Sequence, residues 1–145
     1  MTSNPPQIDD LDAWTEKVLP TDLAAIRPTE RDVLMRLREL SYDDDHLFAV
    51  RLALEEALVN AMKHGNKLDP SRSVRVSYRV LPERVEIRVT DEGGGFDPGV
   101  IPDPTSDENL DKPCGRGVML MRCYMDEVTY SPGGNEVFMV KHRQP

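Results

Sequence analysis

Two neighbouring runs of alternating residues constrain the architecture more than any other feature of the chain. Val74, Val76, Tyr78 and Val80 alternate with Ser73, Arg75, Ser77 and Arg79, and Val85, Ile87 and Val89 alternate with Glu86, Arg88 and Thr90. A period of two puts one set of each run against a core and the other in water. The connection, Leu81 to Arg84 with Pro82, is too short for a crossover. The runs therefore form an antiparallel hairpin, which excludes an all-parallel doubly wound sheet as the simplest architecture. Asp91 continues the series of Val85, Ile87 and Val89, so a regular strand turns its carboxylate inward. A charge in that position needs a partner or a ligand.

Around this hairpin the pattern predicts a short strand at 14–19. Next comes a helix capped by Thr21 that carries Leu23, Ile26, Val33, Leu34, Leu37 and Leu40 at helical spacing and is kinked or split by Pro28. The aspartates 43 to 45 suit the positive end of a second helix, placed at 44–64 with Gly65 and Asn66 as its stop signal. Leu47, Val50, Leu54, Leu58 and Ala61 form one apolar stripe of that helix and Phe48, Leu52 and Val59 another, so it is expected to be sandwiched. Between the stripes run Ala49, Ala53, Glu56 and Asn60, where small neighbours are expected to leave room for a ligand; Glu56 and Asn60 fall about 40° apart. A short helix at 118–124 and a hairpin of 127–130 with 137–141 complete the chain, and the methionines 119, 121 and 125 read as core.

The acidic excess, a formal charge of −8, repels nucleic acid and anionic membrane surfaces. Apolar runs are too short to span a bilayer and 1–13 reads as a loose polar tail, so 14–145 is expected to be a single cytosolic domain. Cys114 and Cys123 have no metal-site spacing and are expected as free, reduced thiols. The segment 96–114 holds four prolines and five acids, and its length points to a functional lid.

Three clusters carry the chemistry, and each alone has a plain explanation. Glu56 with Asn60 is an ordinary solvated pair, Asp91 with Gly93 and Gly95 an ordinary turn, and Gly115-Arg116-Gly117 an ordinary helix entry. In this order they supply an inward acceptor for an exocyclic amine, an amide oxygen suited to Mg²⁺, a general base, and free N–H groups at a helix start suited to phosphates. Together they describe a nucleotide site. His64 reads as a residue that satisfies helix-end carbonyls rather than as a catalyst.

The segments Glu55–Asn66, Asp91–Pro98 and Gly115–Leu120 resemble the N, G1 and G2 boxes of the GHKL ATPase superfamily, and in particular its branch of RsbW-type anti-sigma-factor serine kinases. The similarity runs from about Val18 to Lys141. It implies an α+β two-layer sandwich, the Bergerat fold, with a mixed, largely antiparallel sheet and helices on one face. It further implies ATP and Mg²⁺, with Asn60 on the metal, Glu56 as catalytic base and Asp91 on the adenine amine. By the same resemblance Gly93 and Gly95 let the backbone approach the nucleotide, and Gly115, Arg116 and Gly117 close on the phosphates. The implied function is phosphorylation of an anti-anti-sigma (STAS-type) protein and sequestration of a sigma factor. The charged outer faces of the strands read as solvated, with a homodimer interface as the alternative. An ATP-gated adaptor without phosphotransfer and a stand-alone ATPase domain remain as alternatives.

Overall fold

The computed structural model describes residues 14–93 and 117–144, with side chains of the last helix described from 121 onward. Strand β1 (Thr15–Pro20) leads through a 3-10 turn (Leu23–Ala25) into α1 (Ile26–Glu39), and α2 (Asp44–Asn60) follows, continuing as a π turn (Ala61–Gly65). Strands β2 (Ser73–Val80) and β3 (Arg84–Thr90) come next, then α3 (Gly117–Tyr124), β4 (Glu127–Tyr130) and β5 (Glu136–His142). The sheet order is β1-β2-β3-β5-β4. Every neighbouring pair is antiparallel, and with the helices packed on this sheet the chain has the α+β fold that the resemblance implies, the described sheet being antiparallel throughout.

The register explains the burial. Tyr78 faces Ile87 across β2 and β3, Val76 faces Val89, and Met139 and Val137 continue both rows on β5. These side chains are all buried and meet Val50, Leu54 and Leu58 of α2 in one core. Asp43 caps α2 by accepting the His46 N–H at 2.9 Å, with Asp44 and Asp45 in the first turn, where the helix dipole favours negative charge.

Several expectations change. Asp22, not Thr21, caps the first helical turn, and Pro28 lies in the first turn of α1, where a missing N–H costs little, so the helix is not split. Only the first stripe of α2 is fully buried. Phe48 on the second stays 49% exposed and meets Tyr124 of α3 edge-on at 5.8 Å between ring centroids. On the small stripe Ala49 and Ala53 are buried, and Asn60 at its end lines a cleft. Met121 and Met125 are core, as expected. Cys123 is disulfide-bonded instead of free; the expectation rested on the redox compartment, which imposes no geometry.

A polar tie holds α1 to the sheet. The buried Tyr78 hydroxyl donates to Asp32, which also takes Arg36 Nε at 3.1 Å and Lys17 Nζ at 3.8 Å. Burial works to raise the Asp32 pKa, but Tyr78 and the two cations outweigh it and hold the carboxylate below its usual value. Tyr78→Phe is therefore expected to cost about 1.5–3 kcal/mol, the usual range for a hydrogen bond to a charged group. Urea unfolding checks this, with a lower midpoint at an unchanged slope as the expected outcome.

Candidate functional site

The π turn decides the geometry of the site. An α-helix that continued regularly past Asn60 would carry its end along the axis, whereas the wider turn swings Gly65 against the exit of β3. A Cβ on Gly65 would stand 2.2 Å from Asp91 Oδ2, and one on Gly93 would stand 1.7 Å from the Gly65 carbonyl oxygen. Both contacts admit only glycine, because real Cβ atoms do not approach so closely. π turns of this kind frequently mark functional sites.

Asp91 follows Thr90 at the end of β3 and is only 7% exposed, pointing inward as its parity predicts. Burial raises its pKa; the Gly93 N–H, donated to Oδ1 at 2.9 Å, and Arg72 partly offset the rise. Its backbone is clamped by Asn135, whose carbonyl accepts the Asp91 N–H at 2.9 Å and whose amide donates to the Asp91 carbonyl at 3.3 Å. Asn60, the last residue of α2, lines the same cleft as Asp91, together with Ala57, Tyr130 and Glu136. Burial pushes the Tyr130 hydroxyl up to about 12, so it stays protonated.

Glu56 is half-buried one turn before Asn60 and is not part of the wall that carries Asp91. His64 is exposed in the π turn. The helix-end carbonyls of Ala61 and Met62 accept instead from the backbone N–H groups of Asn66 and Leu68, so the role expected of His64 is filled by the backbone. Gly117 opens α3, while Gly95, Gly115, Arg116 and the lid segment 96–114 lie outside the described residues. Sequence reasoning missed Gly65, Tyr130 and Asn135 as site residues. Gly65 carried a helix-stop signal with no hint of Asp91 behind it.

An amide oxygen and a buried carboxylate on one cleft suit a purine with a metal-bound polyphosphate. A family model described as histidine kinase-like ATPase domain matches residues 19–141. The serine-protein kinase RsbW of Staphylococcus aureus (strain JH9) is 31% identical over 110 residues, which cover 70% of this chain and 68% of the relative. The chain belongs to the RsbW-type GHKL family. RsbW of Bacillus licheniformis is 34% identical over 98 residues, covering 62% of this chain and 60% of that one. A crystal structure of the RsbU and RsbW domains of a Mycobacterium tuberculosis protein matches 97% of this chain with a TM-score of 0.60 at 15% identity, evidence for the fold alone. This chain spans 32% of that longer one.

In this RsbW-type chain a second, larger cavity of about 510 Å³ lies between α1 and α2, on the Glu55 side of the helix. Its floor holds Glu30, 7% exposed, with Glu55 beside it and Arg27, Arg31, Arg51 and Lys63 around it. Burial first, and Glu55 second, push Glu30 up to about 7 against the pull of Arg51 and Arg27. A carboxyl whose folded pKa exceeds its unfolded one disfavours the native state once it ionises. Stability is thus unaffected below about 4.5 and falls as pH rises to about 7. Glu30→Gln is expected to flatten this fall and to gain about 1–3 kcal/mol at pH 8. Thermal melts of both proteins from pH 5 to 8 check the divergence. No helix among the described residues is long and apolar enough to cross a membrane.

Proposed function

We propose that this chain is an ATP-dependent serine protein kinase and anti-sigma factor that phosphorylates a STAS-type anti-anti-sigma protein and sequesters a sigma factor in the cytoplasm. The observation that carries the nucleotide half of this reading is the cleft in which Asn60 and the buried Asp91 share one wall system. The RsbW kinases of similar sequence support the protein-kinase half.

Asp91 would accept the adenine exocyclic amine, and its inward aim would reject a base that presents an oxygen there. Among the described residues no cluster of three metal-binding side chains exists, so a magnesium ion would be held by Asn60 together with the nucleotide's own phosphates. That donor set fits the ion, which takes oxygen ligands and retains much of its water. When bound, magnesium neutralises charge on the phosphates. Glu56, one turn before Asn60, would take the proton of the substrate serine as its oxygen bonds to the γ-phosphorus and the bond to the ADP oxygen breaks. The basic rim of Arg27, Arg31, Arg51 and Lys63 on an otherwise acidic chain supports a protein partner on the α1–α2 side.

The decisive test is incubation with γ-labelled ATP, Mg²⁺ and a STAS-type partner. Label on a partner serine is the expected result. Sigma-factor capture with ATP but no label would instead establish the ATP-gated adaptor.

A further inference from the structure

Asn66 is fully buried beside the nucleotide cleft yet faces away from it, and its side chain joins three separate parts of the fold. Its amide nitrogen donates to Thr21 Oγ1 at 3.0 Å, after β1, and to the Ser73 carbonyl at 3.0 Å, where β2 begins. Its oxygen accepts the Glu92 N–H at 2.8 Å, immediately after Asp91. Thr21 is fixed in turn by donating to the Arg72 carbonyl at 2.6 Å, and the Glu92 carboxylate accepts from both the N–H and the hydroxyl of Ser73 at 2.6 Å. The amide can be oriented in only one way here. Two acceptor oxygens face its nitrogen and one N–H donor faces its oxygen, so a flip would set its oxygen against the Ser73 carbonyl and its NH₂ against the Glu92 N–H.

The consequence falls on Asp91. Its own N–H and carbonyl are held by Asn135, and the peptide after it is held by Asn66. Gly65 packs against the carboxylate itself, and the Gly93 N–H donates to its Oδ1 at 2.9 Å, so the carboxylate's direction depends on where the backbone on either side of it is held. We propose that Asn66 is a positioning residue for base selection: from behind the cleft it fixes the peptide of Glu92 and thereby aims the Asp91 carboxylate at the adenine amine. This rests on the nucleotide reading above, with Asp91 as the group that contacts the base.

The test is a double-mutant cycle read by calorimetry with MgATP and MgGTP on wild type, Asn66→Ala, Asp91→Asn and the double variant. Asn66→Ala is expected to lower ATP affinity about tenfold, in line with loss of a buried hydrogen bond, and to leave GTP affinity within about twofold. Added to Asp91→Asn it is expected to change neither. A merely structural Asn66 would lower the melting temperature but preserve the ATP-to-GTP ratio, and that outcome overturns the proposal. Should Asn66→Ala fail to fold, Thr21→Val removes one of the two acceptors that orient the amide. It is expected to shift the same ratio in the same direction by a smaller factor, and an unchanged ratio overturns the proposal equally. If wild type binds no adenine nucleotide, the nucleotide reading falls and takes this inference with it. If wild type selects ATP and the variants select it as well, this inference alone fails.

Discussion

Glu56→Gln is expected to reduce phosphate transfer to an anti-anti-sigma partner by about 10²-fold or more, the usual scale for a general base, while MgATP affinity and sigma-factor capture stay near wild type. The prediction separates chemistry from binding because the substitution keeps the shape of the side chain and spares Asn60 and Asp91, the two residues that share the cleft. Glu56 and Glu55 are consecutive on α2, yet only Glu55 joins the α1–α2 cavity, where it meets Glu30. Glu55→Gln is therefore the matched control and is expected to leave transfer unchanged within a few-fold. Single-turnover transfer with saturating ATP reads the difference directly. Equal rates for wild type and Glu56→Gln would remove Glu56 from the role of base, and a loss confined to Glu55→Gln would move the chemistry to the other cavity.

The sheet was legible because its information is local. Alternation in 73–80 and 85–90 needs no knowledge of the rest of the chain, and the parity that turned Asp91 inward is a property of the same strand. Helix α2 was legible for its length and cap but not for its last turn. The residues Ala61 to Gly65 continue a helical pattern in sequence, yet they form a π turn whose Gly65 lies against Asp91, 26 positions away in the chain (91 − 65), a contact that local periodicity does not encode. Pro28 misled for a related reason, since a proline breaks a helix only beyond its first turn, and the first turn of α1 begins two residues before it. The Glu30–Glu55 pair has no signature at all in the sequence. It exists because α1 lies beside α2, a packing fact that periodicity does not encode. The inward aim of Asp91 was thus readable because one strand specified it, whereas the contact of Gly65 with Asp91 was unreadable because two distant segments had to meet.

Asp91→Asn is expected to lower ATP affinity by about 10- to 100-fold, the scale of a lost hydrogen bond to a charged group, and to abolish preference for ATP over GTP. The size follows from the way the carboxylate is held. Oδ1 already accepts the Gly93 N–H at 2.9 Å, so the amide of the variant keeps its oxygen there, because the reverse orientation would set two donors against each other. Its NH₂ group then occupies the place of the second oxygen and meets the adenine amine donor to donor. A guanine, which offers an oxygen at that position, is met by a donor and gains. The wild-type site also carries a pH signature. Burial raises the Asp91 pKa above its ordinary value, and the protonated acid is a poorer acceptor, so ATP affinity is expected to fall as pH is lowered towards that raised value. Asn does not titrate, and the variant's weak affinity is expected to be flat over the same range. Calorimetry with both nucleotides at several pH values measures the two effects together. An Asn variant with wild-type affinity and wild-type ATP-over-GTP selection would mean that the base is read elsewhere, and a pH slope that persists in the variant would assign the titration to another group.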